Sequence, residues 1–194
     1  MIRETLYDSN KFYNLVKALG SLKNQTRLGW LIEGIPKSIA EDVAPHSFEA
    51  TIYALIIGYE LEKKGENIKM DKLLSMTLLH DLAEAFVGDV VKYLKDRIGG
   101  LKEQIEFEAI KEQIKIDYII NIYKEYIEGH SIEAKIARLA DLLATYVQAK
   151  RYYNQGYKHV ERILINIYDS IIDIIRKDLP QAKDVIYEVI HSVN

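Results

Sequence analysis

Apolar residues recur every three to four positions along most of this 194-residue chain, and that spacing is what most restricts its fold. Such a period gives each helix one apolar stripe, and only three prolines and ten glycines interrupt it. The many Ile and Tyr residues favour strands by intrinsic preference, but the periodicity outweighs that preference. We therefore expect an all-α fold in which the helices form a bundle.

Length and sequence organisation predict a single domain. A chain of 194 residues buries enough apolar surface for one core to stabilise it. No repeat, low-complexity tract or flexible linker divides the sequence. We expect residues 1–194 to form a single-domain helical bundle.

Charge and cysteine content exclude several classes of function. The formal net charge is −3, and Lys and Arg do not cluster as they do in nucleic-acid-binding proteins, so we expect a small-molecule substrate and no nucleic-acid partner. The absence of cysteine excludes disulfides, cysteine-ligated zinc and a thiol nucleophile. Any metal ion must be held by His and carboxylate side chains.

The sequence also predicts the location of the protein. No apolar run approaches the length of a membrane span, so we expect no membrane partner. The start, MIRETLYDSN, has neither the basic nor the apolar region of a signal peptide. We expect a cytoplasmic protein.

Glycines, prolines and capping residues predict where the helices begin and end. Arg27 and Trp30 should lie on a loop or a short helix, because Gly and Pro residues are frequent between Ser21 and Pro45. The expected helices run from a Ser9/Asn10 cap to Gly20, from His46 to near Gly65, from Lys72 (capped by Asp71) to about Phe86, from Leu101, from a Ser131 cap after a break at Gly129, and over residues 159–177 and 180–192.

The segment MTLLHDLAEAF places His80 and Asp81 side by side in an otherwise apolar helix. Glu84 follows the His by four residues and the Asp by three, which is one helical turn. An imidazole and a carboxylate that face a core are costly unless paired, and a shared divalent cation offsets that cost. The alternative is a structural polar pair, which is the commoner role of a bare His-Asp doublet.

Two further residues favour the metal interpretation. Asp141 interrupts the apolar stretch IARLADLLATYV as His80 and Asp81 interrupt theirs, and His46 follows Pro45 at a helix start. His and carboxylate ligands together suit Zn, Mn, Fe or Co better than Ca. We expect the two His and two Asp residues to hold one divalent metal ion, with Co, Mn, Zn, Fe and Mg as candidates.

The order His46, His80-Asp81 and Asp141 on successive helices resembles the HD-domain metal phosphohydrolases. The words TRLGW, APHSFEA, LLHDLAEAFVGDVVKY and EAKIARLADLL resemble the 5'-deoxynucleotidase branch of that superfamily, over about residues 19–150. This resemblance implies a helical bundle of the HD-domain type and a homodimer. One position differs, because Pro45 precedes His46 where the family usually has an acidic residue; this changes a supporting contact rather than the ligand.

The resemblance also implies a role for each matched position. Glu84 matches the residue that activates or positions the attacking water, and Asp89 matches a deoxyribose contact that helps to exclude a 2'-hydroxyl. Arg27 matches a phosphate-contacting Arg and Trp30 a nearby pocket aromatic, with Lys92 as a further candidate for the same anion. The positions that match metal ligands are His46, His80, Asp81 and Asp141.

We expect a metal-dependent phosphomonoesterase that converts 2'-deoxyribonucleoside 5'-monophosphates to deoxynucleoside and phosphate. Such hydrolysis needs a Lewis acid, a positioned water and cations around the developing charge. The chain has a candidate residue for each requirement.

Other functions stay open at this stage. An HD hydrolase that acts on a triphosphate would need more cations than Arg27, Lys92 and Lys95. A two-metal cyclic phosphodiesterase would need several His residues between His80 and Asp141, where the sequence has His130 alone. A nucleotide-sensing module that contains metal would not need Glu84. A structural interaction protein would not need the metal.

Overall fold

The computed structural model describes residues 12–193, apart from the side chains of Lys92, Lys95 and Asp96. Within these residues the regular elements are helices, and one isolated antiparallel bridge joins Thr26 to Asp42. The all-α prediction is confirmed. The predicted Ser9/Asn10 cap lies outside the described residues.

The helices, in chain order, are α1 (Tyr13–Leu22), α2 (Leu28–Ile32), α3 (Val43–Lys63), α4 (Met70–Leu79), α5 (Glu84–Val87), α6 (Lys92–Ile98), α7 (Leu101–Gln113), α8 (Asp117–Glu128), α9 (Ile132–Asn154), α10 (Glu161–Lys177) and α11 (Lys183–His191), with 3₁₀ turns at Lys158–Val160 and Pro180–Ala182. None of these helices combines the length and apolar character that crossing a membrane requires.

The two longest helices, α3 and α9, pack against each other at the centre, with α4 and α10 also against α9. Leu61, Leu73, Leu139 and Leu143 are fully buried between them. Burying each such side chain contributes about 1.5–3 kcal/mol. This core holds α3, α4 and α9 rigidly side by side, and the predicted metal ligands lie on these helices or directly after them.

The helix predicted to begin at His46 begins three residues earlier, at Val43. Pro45 therefore lies in the first turn of α3, where its missing N–H removes no helical hydrogen bond. The backbone N–H of His46 donates to Asp42 O at 3.3 Å. His46 is thereby held inside the helix, and its side chain is buried.

The prediction of a continuous helix from Lys72 to Phe86 with an Asp71 cap is wrong. Helix α4 ends at Leu79, its N-cap is Lys69, and a separate short α5 begins at Glu84. The chain turns at this point because His80 Nδ1 donates to Thr77 O at 2.7 Å. In a continuing α-helix that carbonyl would accept the backbone N–H four residues later.

The predicted break and cap before α9 are confirmed. Gly129 ends α8 in the left-handed region with φ of 70°, which glycine adopts without strain. The Ser131 side chain accepts from the backbone N–H of Ala134 at 3.3 Å and begins α9. This start fixes the phase of α9 and thus the direction in which Asp141 points.

Candidate metal centre and substrate pocket

Three side chains bring ligand-type atoms to one place in the core. Each of His46, His80 and Asp81 has such an atom within 4.8 Å of the others. His46 comes from the first turn of α3, and the other two come from the turn after α4. The two imidazole rings meet edge to face with centroids 5.4 Å apart, and they are only 0% and 5% exposed.

Asp141 reaches the same place from α9. Its Oδ1 lies 3.0 Å from Nε2 of His46 and 3.7 Å from Nε2 of His80. Asp81 Oδ2 lies 3.1 Å from Nε2 of His80 and 3.9 Å from Nε2 of His46. The structure thus brings all four predicted ligand residues together.

The chemistry of these donors fits a divalent cation. Nε2 of His80 is buried and makes no well-aligned hydrogen bond within the described residues, although two carboxylates approach it. A buried polar atom in this state is unusual unless another partner binds it. Two imidazole nitrogens and two carboxylates form a common donor set for Zn, Mn, Fe or Co.

The charges of the cluster are mutually stabilised. Burial alone would lower the pKa of His80, but Asp81 and Asp141 raise this pKa well above its usual value. Burial opposes ionisation of Asp141, yet the hydrogen bond with His46 and the nearby His80 imidazole lower its pKa well below the usual value. The carboxylates are therefore ionised, as metal ligands must be.

Glu84 lies at the start of α5 beside this cluster. Its side chain is 7% exposed, and its Oε2 has no hydrogen-bond partner within the described residues. Burial, followed by the charges of Asp81 and Asp89, raises the pKa of Glu84 to about 9. The carboxyl is thus suited to hold a proton or a water molecule next to the cluster.

Arg27 lies directly behind His46. Its guanidinium is 2.9 Å from Nδ1 of His46, donates to Thr145 Oγ1 at 3.1 Å, and is 3.6 Å from Glu41 Oε2. The positive charge of Arg27 therefore lies next to the four predicted ligand residues. Thr145 is one helical turn after Asp141 on α9, so helical spacing could have predicted its place in the site.

Glu41 is a site residue that the sequence analysis missed. Its Oε2 lies 3.7 Å from Nδ1 of His46 and accepts from Trp30 Nε1 at 3.4 Å. Burial raises the pKa of Glu41, while His46 and Arg27 counteract part of that effect. The burial of the Glu41 carboxylate is what marks it as a site residue, and that burial cannot be recognised from the sequence.

Lys102 of α7 is a second missed residue. It forms an ion pair with Glu106, and both side chains are largely buried. Glu106 also accepts from the hydroxyl of Tyr123 at 3.4 Å. The charge of Lys102 counteracts part of the rise in the pKa of Glu84. The i,i+4 spacing of such a pair is typical of an exposed helix face, and only the packing of α7 buries this one.

A cavity of about 420 Å³ adjoins the cluster, and Arg27 and Thr145 line it. Asp89 also lines it and accepts the backbone N–H of Leu28, which ties the loop before α6 to α2. Trp30 borders the cavity, but it is 2% exposed and packs on Tyr152 with centroids 5.2 Å apart. The side chain of the remaining candidate, Lys92, lies outside what the structure describes.

Comparison with known proteins gives consistent results for sequence and fold. The profile of the HD domain family matches residues 19–183. The human 5'-deoxynucleotidase HDDC2 is 25% identical over 171 residues, which cover 84% of this chain and 78% of the human protein.

Solved structures extend the likeness over nearly the whole chain. The PH0347 protein from Pyrococcus horikoshii OT3 superposes with a TM-score of 0.80 at 30% identity, covering 92% of this chain and 97% of that one. An HD-domain phosphohydrolase from Listeria innocua shares the fold, with a TM-score of 0.69 at 19% identity over 94% of this chain and 88% of that one. The range that the profile matches, residues 19–183, spans the positions of all the predicted site residues.

Proposed function

Since this chain belongs to the HD domain family, we propose that it is a metal-dependent phosphomonoesterase that hydrolyses 2'-deoxyribonucleoside 5'-monophosphates to deoxynucleoside and phosphate. The observation that supports this proposal most directly is the convergence of four side chains next to Arg27, at one side of a cavity of about 420 Å³. These side chains are His46, His80, Asp81 and Asp141. Relatives named 5'-deoxynucleotidase support this choice of substrate.

The four converging side chains would hold one divalent cation. Such an ion would act as a Lewis acid on the phosphoryl group and would lower the pKa of water towards neutral pH. The candidates remain Co, Mn, Zn, Fe and Mg.

Glu84 performs the proton transfer in this proposal. Its buried carboxyl holds the attacking water in line with the leaving 5'-oxygen. As the new P–O bond forms and the P–O5' bond breaks, Glu84 takes a proton from the water, and the leaving oxygen on the opposite side of phosphorus takes a proton from solvent. A divalent cation beside Glu84 would lower its raised pKa and so favour the ionised form that accepts the proton.

Arg27 and Asp89 bind the two polar parts of the substrate. The Arg27 guanidinium donates to phosphate oxygens and stabilises the charge that develops on them. One oxygen of Asp89 already accepts the Leu28 N–H, so the other is left for a sugar hydroxyl. We assign Lys92 as a further cation for the phosphate, and Trp30 as the aromatic residue that supports the cavity wall next to Arg27.

The charges of the cavity favour a monophosphate over a triphosphate. Its described lining residues include Arg27 and Arg162 as cations, and Arg162 is already paired with Glu33 at 2.8 Å. A triphosphate would need several unpaired cations. The proposal also keeps the expectations of one domain over residues 1–194, a homodimer and a cytoplasmic location.

Phosphate release from dAMP and AMP tests the proposal, with Mn, Co, Zn, Mg or EDTA added to wild type and to Glu84→Ala. We expect metal-dependent release from dAMP but not AMP, and loss of about 10²–10⁴-fold in the variant. No release from any deoxynucleotide by metal-replete protein would overturn the proposal. Unchanged activity in His80→Ala would do the same.

A further inference from the structure

The cavity beside the cluster extends to a part of the molecule that takes no part in the metal site. Ile163, Asn166 and Ile167 of α10 line it together with residues of α2 and of the loop before α6. Helix α10 carries none of the four predicted ligand residues. The cavity volume of about 420 Å³ lies within the range of about 300–1,000 Å³ typical of small-molecule sites.

The α10 wall is largely uncharged and apolar. Ile163 and Ile167 are one turn apart and so face the same side of the helix. The one charged α10 residue in the lining, Arg162, is paired with Glu33. An apolar wall with a neutralised charge suits a flat neutral ring better than a second anionic group.

Asn166 adds a polar group to this wall. Its carboxamide makes no hydrogen bond within the described part of the chain, while its backbone carbonyl accepts from Ser170. The carboxamide offers both a donor and an acceptor, which is what the edge of a nucleobase requires.

We propose that this cavity is the nucleobase subsite, in which Ile163 and Ile167 contact the ring and Asn166 hydrogen-bonds its edge. The inference rests on the proposed function, because it takes the phosphate to lie at Arg27. The inference adds that α10 recognises the base, although α10 lies after the sequence motifs that contain the predicted metal ligands.

A substrate without a base separates this subsite from the phosphate site. We would measure kcat/KM for dAMP and for 2-deoxyribose 5-phosphate in wild type, Asn166→Ala and Asn166→Phe. Asn166 is exposed, so neither variant disturbs the core. Asn166→Ala should lower kcat/KM for dAMP about 3–10-fold, mainly through KM, as expected for loss of one hydrogen bond. The larger Asn166→Phe side chain should lower it further.

Both variants should leave kcat/KM for 2-deoxyribose 5-phosphate unchanged. Ile165→Ala is the matched control, because Ile165 is on the same helix, 57% exposed and outside the cavity lining. It should change neither substrate. An equal loss for both substrates in the Asn166 variants would overturn the base subsite while leaving the proposed function standing.

Binding decides the inference even without turnover. Trp30 borders the cavity and is the single Trp of the chain, so its fluorescence reports occupancy. Wild type should bind dAMP more tightly than 2-deoxyribose 5-phosphate, and Asn166→Phe should remove that difference. Equal affinity for the two ligands in wild type would overturn the base subsite. Absent turnover with the expected binding difference would count against the proposed function alone.

Discussion

Glu41 Oε2 lies 3.7 Å from Nδ1 of His46, whereas the opposite ring nitrogen, Nε2, faces Asp141 at 3.0 Å. A His that binds a metal through Nε2 is commonly oriented by a polar group at Nδ1. Here that group is the Arg27 guanidinium, which lies 2.9 Å from Nδ1 and 3.6 Å from Glu41 Oε2. Glu41 therefore supports the ring through Arg27, in a chain where Pro45 stands directly before this His.

We predict that Glu41→Gln weakens metal binding about 10–100-fold, because an amide holds Arg27, and through it the His46 ring, less well than a carboxylate does. Competition with a chromogenic chelator measures the affinity. Glu49→Gln is the control, since Glu49 lies on α3 and pairs with Arg151 at 2.7 Å, outside the cluster. Equal metal affinities in the two variants would contradict the role given to Glu41.

Glu84→Gln should lower kcat for dAMP about 10²–10⁴-fold, because the amide cannot transfer the proton. Metal content should stay at the wild-type value, since Glu84 is not among the four converging ligand residues. Activity assays with metal analysis of the same sample measure both quantities. A variant that loses its metal would instead make Glu84 a ligand.

Metal removal should weaken the fold without unfolding it. A cation at 100 times its dissociation constant stabilises the folded state by about 2.7 kcal/mol, so EDTA should lower Tm measurably. The protein should remain helical by circular dichroism, because the apolar core between α3, α4 and α9 does not depend on the ion. His80→Ala should show no metal-dependent Tm shift, whereas His130→Ala, an exposed site, should keep it. A metal-dependent shift that survives in His80→Ala would place the ion elsewhere.

Lys102→Met should destabilise the protein by about 3 kcal/mol, because it removes the Lys102 ion pair from the buried Glu106 carboxylate. Replacing both residues, with Lys102→Met and Glu106→Leu, should recover most of that loss, since the buried carboxylate is then removed together with its ion pair. Urea unfolding of wild type, both single variants and the double variant measures the coupling. Additive losses would show that the pair is solvated rather than buried.

Asp89→Asn tests how the sugar is recognised. The amide oxygen can still accept the Leu28 N–H, so the loop should stay in place. Loss of the charge should reduce kcat/KM for dAMP about 10–100-fold and change AMP much less, so that the preference for the deoxy substrate falls. An unchanged ratio of the two kcat/KM values would remove Asp89 from sugar recognition.

The sequence predicted the helices well because apolar spacing and caps such as Ser131 are local properties. It failed at the end of α4, where a side-chain hydrogen bond from His80 to Thr77 O stops the helix without changing the apolar spacing. The grouping of His80, Asp81 and Asp141 was predicted because polar residues in apolar helices are conspicuous, and His46 was added from its place at a helix start and from the family resemblance. Glu41 and Lys102 were missed because only tertiary packing buries them.

The converging residues come from three segments of the chain that are far apart in sequence: the start of α3, the turn after α4 and the middle of α9. A bound ion would therefore act as a removable cross-link in a chain that has no cysteine to form a permanent one. Release of such an ion would free the turn at His80 to open independently of α9. Amide hydrogen exchange in this turn would thus depend on metal concentration, while exchange in the apolar centre of α9 would not.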